Sequence, residues 1–342
     1  MVKLRYTPDY FIDSSKIMKK FEFKCIKCGQ VSKIDQFCQC KQSHYYNLLT
    51  PIYDYQKIKE QNLINFNCRL KEQGLDKYLP LLPNNEFRIT LGEGNTSLLK
   101  LNNLGKKFGL SHLYVKNETT NPTGCFKDRE TGVVINLALD FGKTNVAIAS
   151  SGNAAVSAAA YSNLAGLKCN CYIPKNTSAG KKRLLNIFGV NFEEVNGAYA
   201  STYKFLADKS QPDIWNITSG QNIFKEEGDK TIAFEIFEQI GVPDKIVVPV
   251  GNGSLLYGTY KGFWELKQLG LVDELPQFIG VEIKDYAPVA EAIRQNKDYV
   301  RLEAEPVSIA EGGIAAQEAF CSPHALLALK ETNGRMVEIT DD

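Results

Sequence analysis

Residues Asn121-Pro-Thr-Gly-Cys-Phe-Lys-Asp-Arg129 decide how this chain is read. The ring of Pro122 fixes φ and Gly124 tolerates conformations closed to other residues, so Asn-Pro and Thr-Gly mark a turn. Directly after it, Val133, Val134, Ile135, Leu137, Ala138 and Leu139 recur at spacing suited to a helix. Lys127 therefore stands where a turn enters a helix. The macrodipole at that end disfavours a cation, so Lys127 is expected to hold its proton loosely, as an amine must before it attacks an aldehyde. A solvated surface lysine is an equally good reading of this segment taken alone.

Three further stretches shift the balance. Leu91-Gly-Glu-Gly-Asn-Thr96 is a glycine-broken loop that lets backbone approach a ligand. Ser150-Ser-Gly-Asn-Ala-Ala155 lies between a short strand at 145–149 and a helix at 154–165, where amides and small polar side chains converge on an anion. Pro249-Val-Gly-Asn-Gly-Ser254 ends a strand at 245–250, whose β-branched run predicts burial in a parallel sheet. Its glycines let several N–H groups point at one phosphate, with the next helix completing the cradle. The third glycine and downstream acid of a dinucleotide fingerprint are missing, as is the Lys-Ser/Thr of a Walker loop. Strands at 168–173, 190–195 and 213–219 and helices at 200–210 and 231–240 complete an alternating α/β pattern. Lys181, Lys182 and Arg183 open another helix, an awkward place for cations unless an anion sits there.

In chain order the four stretches resemble those of the fold-type II pyridoxal phosphate enzymes, and most closely the threonine synthase family. The resemblance implies an α/β fold with two three-layer lobes and pyridoxal 5'-phosphate between them. It makes Lys127 the covalent anchor and catalytic lysine, with Phe126 against the cofactor and Asn153 on its ring. Gly251, Asn252, Gly253, Ser254 and Leu255 would hold the cofactor phosphate. Thr96, Ser150, Ser151, Gly152, Ala154 and Lys181 would face the substrate. The reaction implied is conversion of O-phosphohomoserine and water to threonine and phosphate by a homodimer. Elimination or replacement at the β-carbon of serine, threonine or an O-activated serine uses the same motifs, and a non-catalytic homologue that binds the cofactor is a third reading. The sequence departs from the family in Ser97, where proline is usual, and in Ser254, where glycine is common. The family's residue facing the pyridine nitrogen has no counterpart before Asp342, so the body at 88–342 is expected to be short at its C-terminus.

Residues 1–50 differ in character. Cys25-Ile-Lys-Cys28-Gly29 and Cys38-Gln-Cys40 offer four thiolates that can close a tetrahedral structural zinc site, Gly29 giving the first knuckle room to turn. Four reduced cysteines without metal is the even alternative, and His44 reads as packing or surface. Residues 51–87 read as a helical, aromatic arm. Lys and Arg total 40 against 39 Asp and Glu, so the chain carries no field suited to nucleic acid or membrane. Nine cysteines and no continuous apolar leader point to a reducing, cytoplasmic setting.

Overall fold

The computed structural model describes residues 20–32, 40, 48–66, 74–150, 152–197, 199–209, 213–303, 308–310 and 318–342. Strand β1 (Phe21–Cys25) alternates so that Phe21, Phe23 and Cys25 point inward. It pairs antiparallel with β2 (Val31–Ser32) and with β3 (Leu49–Tyr53), in a register that sets Phe21 against Tyr53 and Cys25 against Leu49. The head's sheet therefore runs to Tyr53, past the expected boundary at 50. Phe21 and Phe23 pack edge-on against Phe224, with centroids 5.6 and 5.9 Å apart, which ties the head to the body. In the arm, helix α1 (Tyr55–Glu60) is short, its start capped by Asp54 accepting from the Lys57 amide at 3.0 Å. A 3₁₀ turn at Asp76–Leu81 buries Tyr78 and Leu81.

The body begins with β4 (Leu98–Lys100), α2 (Asn102–Phe108) and β5 (Tyr114–Lys116), the two strands pairing antiparallel. Helix α3 (Lys127–Asp140) follows and is buried from Asp128 to Ala138. Strand β6 (Asn145–Ala149), α4 (Asn153–Leu164), β7 (Lys168–Pro174), α5 (Ala179–Ile187), β8 (Asn191–Val195), α6 (Tyr199–Asp208) and β9 (Ile214–Asn216) then build a parallel sheet ordered β8-β7-β6-β9. Two helices in series, α7 (Lys225–Asp229) and α8 (Thr231–Ile240), lead to a second parallel sheet. That sheet is formed by β10 (Lys245–Pro249), α9 (Ser254–Gln268), β11 (Gln277–Ile283), α10 (Pro288–Arg294), α11 (Ser322–Glu331) and β12 (Arg335–Ile339), ordered β10-β11-β12.

The α/β alternation expected from the sequence is present, with one correction. Strand β10 is buried on one face only: Val248 is inside, whereas Val247 is 64% exposed and Pro249 is exposed as well. Its β-branched run gives strand propensity but does not show how many faces are covered. Helix α3 packs on α4 of the first sheet and on α7, and α7 packs on α9 of the second, so the start of α3 lies where the two sheets' helices meet. Among the described residues no helix is long and apolar enough to cross a membrane.

Candidate active site around Lys127

Gly124, at φ +87°, makes the turn, and Lys127 is the first residue of α3. The turn is held by Asp128, whose carboxylate accepts from the Thr123 amide and hydroxyl, both at 2.6 Å. The Lys127 side chain is largely buried, its Nζ 4.3 Å from the centre of the Phe126 ring and donating to Glu130 one turn along the helix. Glu130 accepts also from Lys225 Nζ at 2.9 Å and from Ser219 Oγ at 3.0 Å.

This overturns the expectation of a loosely held proton. Burial works to lower the Lys127 pKa, but the Glu130 carboxylate in contact with it outweighs that, and the pKa is raised. A buried carboxylate in contact exerts far more on the ammonium than the partial charge of the helix terminus. Helix α7 supplies two more buried acids. Glu226 accepts from the Cys321 thiol at 3.1 Å, and its burial pushes the carboxyl up to about 7. Asp229 has no hydrogen-bond partner on either carboxylate oxygen among the described residues, and burial raises its pKa well above the ordinary range.

The expected phosphate loop lies beside this cluster. Gly220, next to Ser219, packs so closely that a Cβ there would stand 2.4 Å from Asn252 Nδ2. Gly253 takes φ +94°, and a Cβ on it would meet the Cys321 carbonyl at 3.0 Å and Ala325 Cβ at 3.2 Å. No side chain caps α9, so its first-turn amides are free for an anion, with buried Ser254 and half-buried Leu255 behind them. The Asn252 side chain, by contrast, accepts from the Phe320 amide at 2.7 Å and braces that loop. Any anion cradle here would therefore be built from backbone rather than from the Asn252 side-chain amide.

At the start of α4, Asn153 is exposed and Gly152 caps the helix without a side-chain bond; the Gly152 amide donates to Ser150 Oγ at 3.2 Å. Ser150 and Ala154 are buried, and Ser151 lies outside the described residues. One turn on, Ser157 donates to Asp128 at 2.6 Å, which joins the α4 start to the Lys127 turn. Lys181 is half-buried in the first turn of α5, a helix that packs on α4, while Lys182 beside it pairs with Glu194 at 2.7 Å. Thr96 does not present its hydroxyl to this space. It donates to Glu118 at 2.6 Å and accepts from Arg129 at 3.1 Å.

Arg129 itself escaped the sequence reading. Fully buried, it donates from Nε to Glu118 at 2.7 Å, from Nη1 to Glu235 at 2.7 Å and Thr231 at 2.9 Å, and from Nη2 to Glu235 at 2.8 Å. Helix register carried a signal: two residues after Lys127, Arg129 falls roughly on the opposite face of α3 and must meet its own partners inside. In the head, the Cys25, Cys28 and Cys40 sulfurs lie within 4.8 Å of one another, and Cys38 and His44 are outside the described residues. Gly29, at φ +74°, closes the first knuckle by donating to the Cys25 carbonyl at 2.9 Å.

A buried lysine at one helix start, an uncapped glycine-opened helix start beside it and two parallel α/β sheets are the arrangement a fold-type II pyridoxal phosphate enzyme needs, and the donor set suits that cofactor's aldehyde and phosphate. The family model for pyridoxal-phosphate dependent enzymes matches residues 89–342, and the chain belongs to that family. It is similar to the threonine synthase of Methanocaldococcus jannaschii, 36% identical over 93% of this chain and 79% of that protein. The threonine synthase of Methanosarcina acetivorans is 33% identical over 94% and 79%. The fold matches the crystal structure of a fungal L-serine ammonia-lyase from Rhizomucor miehei, with a TM-score of 0.64, 20% identity, and coverage of 72% of this chain and 76% of that one.

Proposed function

We propose that the chain is a pyridoxal phosphate-dependent lyase of the threonine synthase type, turning O-phosphohomoserine and water into threonine and phosphate. The observation that carries this reading is the likeness to threonine synthases along 93% of the chain. When bound, pyridoxal phosphate supplies an electron sink that acidifies the substrate's C–H bonds. Lys127 anchors it and then moves protons between the substrate carbons. The amides of Gly251, Gly253, Ser254 and Leu255 hold the cofactor phosphate and Asn153 the ring. Ser150 and the amides of Gly152 and Ala154 take the substrate carboxylate, and Lys181 the substrate phosphate. The test is visible absorbance of protein supplied with pyridoxal phosphate, beside Lys127→Ala, followed by phosphate release from O-phosphohomoserine. A lysine-dependent band with phosphate release supports the reading; turnover of threonine or serine alone sinks it.

One observation favours that second outcome. Lys127 and Lys225 both already pair with the buried Glu130 carboxylate, so neither ammonium is left over for a dianionic substrate phosphate. Elimination or replacement on serine or threonine leaves no such dianion, so side-by-side turnover separates the two. Binding without turnover of any of these substrates would favour the non-catalytic homologue.

The head at 1–50 we infer to be a ribbon around structural zinc, supported by the gathered thiols of Cys25, Cys28 and Cys40, with Cys38 as the fourth ligand. Stoichiometric zinc in the purified protein, lost in Cys28→Ser, tests it. The division into head, arm and two-lobed body, the homodimer and a cytoplasmic location belong to the same proposal. Cys125, Cys169, Cys171 and Cys321 are buried free thiols, which suits a reducing compartment.

A further inference from the structure

Glu130 is fully buried and stands between two ammonium groups. One carboxylate oxygen receives Lys127, and the other receives Lys225 and Ser219. A lysine that bonds to the cofactor through Nζ cannot remain the ammonium partner of a carboxylate. In most buried pairs its departure would strand the acid, which is strongly unfavourable. Here Lys225 and Ser219 already occupy the second oxygen, so Glu130 keeps compensation when Lys127 leaves and is in place when it returns.

We propose that Glu130 decides when Lys127 can act as a nucleophile, holding the proton on Nζ in the free protein and passing to Lys225 as its partner once Nζ is committed. This rests on Lys127 being the cofactor lysine and gives Glu130 a positioning role in the same site. The other titratable groups facing Lys127 do not compete for it. Cys125, in the turn before α3, is a thiol raised to about 11 by burial. From α7, Asp229 and Glu226 are raised by burial, and in the loop before α11 the Cys321 thiol is raised likewise. Only Glu130 is held low: burial pushes it up, but Lys127 and Lys225 overcome that. It is thus the acid that stays anionic.

The experiment uses the full chain without cofactor, labelled across a pH series with trace acetic anhydride and read at Lys127 by peptide mass spectrometry. In Glu130→Gln the midpoint of Lys127 labelling should fall by about one pH unit or more, so that labelling below it rises about tenfold at fixed pH. Added pyridoxal phosphate should be captured faster by the same factor. An unchanged midpoint overturns the proposal, as does a matching rise at buried Lys230, which would show general loosening. Should Glu130→Gln fail to fold, Lys225→Met decides: with Glu130 left to Lys127 alone the midpoint should rise, and no rise overturns the proposal. Labelling needs no cofactor, so the expected shift in Glu130→Gln, found together with a wild-type protein that captures no pyridoxal phosphate, would sink the anchoring role of Lys127 and leave the Glu130 contact standing.

Discussion

Arg129 and Lys127 stand two residues apart on one helix, and the protein buries their charges in opposite ways. Every nitrogen of the Arg129 guanidinium donates to a fixed acceptor, and the carboxylates of Glu118 and Glu235 are shared with Lys116, Thr96 and backbone amides. Around Lys127 the satisfaction is incomplete: one carboxylate serves two lysines, and Asp229 has no partner among the described residues. A saturated buried charge holds chain segments together and cannot change state cheaply, because any lost partner strands a charge. An unsaturated one stands ready for a group that is still to arrive. The difference separates the scaffold of this site from its chemistry.

The largest effect that could break the comparison is on the scaffold side. Arg129→Met should lower unfolding free energy by about 3–5 kcal/mol, since it leaves two buried carboxylates without their shared cation. Arg129→Lys should recover only part of this, because an ammonium cannot reproduce the planar fork. Urea unfolding measures both, and a loss under about 1 kcal/mol for Arg129→Met would show that the network is ornamental.

On the chemistry side the sign reverses with pH. The Glu226 carboxyl is raised to about 7 by burial, against an ordinary value of about 4.3. Between those values the folded chain binds more protons than the unfolded one. The stability that Glu226 contributes is therefore full below about pH 4.3 and is lost as pH rises through 7, by up to about 4 kcal/mol. Glu235 behaves in the opposite sense: burial pushes it up, but Arg129 holds it well below the ordinary range, so its contribution is present at neutral pH and lost only in strong acid. Stability curves of apo Glu226→Gln should accordingly match wild type near pH 4 and exceed it at pH 8. A variant less stable at pH 8 would place Glu226 in the saturated class.

Thr96 sharpens the boundary, having been expected at the substrate and found between Glu118 and Arg129. Thr96→Ala should cost about 1–3 kcal/mol from the buried groups it leaves unpaired. The Michaelis constant for whichever amino acid is turned over should stay unchanged. A raised constant at unchanged stability would return Thr96 to the substrate.

Why one cluster was legible in the sequence and the other was not follows from where their partners lie. The Lys127 turn, the strand at Asn145–Ala149, the helix at Thr231–Ile240 and the glycine loop before Ser254 are written in contiguous residues, through turn chemistry and local periodicity, and they appear at or close to their expected positions. Glu118, Thr231 and Glu235 come to Arg129 from segments up to 106 residues away, a convergence no local pattern encodes. The same blindness explains two other misses. The head's sheet continues to Tyr53 because β3 pairs with β1 although the two are distant in sequence, and β10 has a bare face because coverage is a property of the assembled sheet. The helix-dipole expectation for Lys127 failed on a residue in plain view, Glu130, whose contact required knowing that both side chains turn inward.

The smallest expected effect is at the first turns of α5, where a charged pair of the same bond length lies near water. Lys182 Nζ stands 2.7 Å from Glu194, as Arg129 does from Glu235, but the two side chains are 23% and 37% exposed. In high dielectric the attraction is weak, salt screens it, and ordering two long side chains offsets most of what remains. Lys182→Ala should therefore change unfolding free energy by about 0–1 kcal/mol, with the difference shrinking further in added salt. If the loss instead approached that of Arg129→Met, bond length rather than burial and saturation would be what sets the worth of a charge in this protein, and the distinction between its two buried clusters would have to be rebuilt on geometry alone.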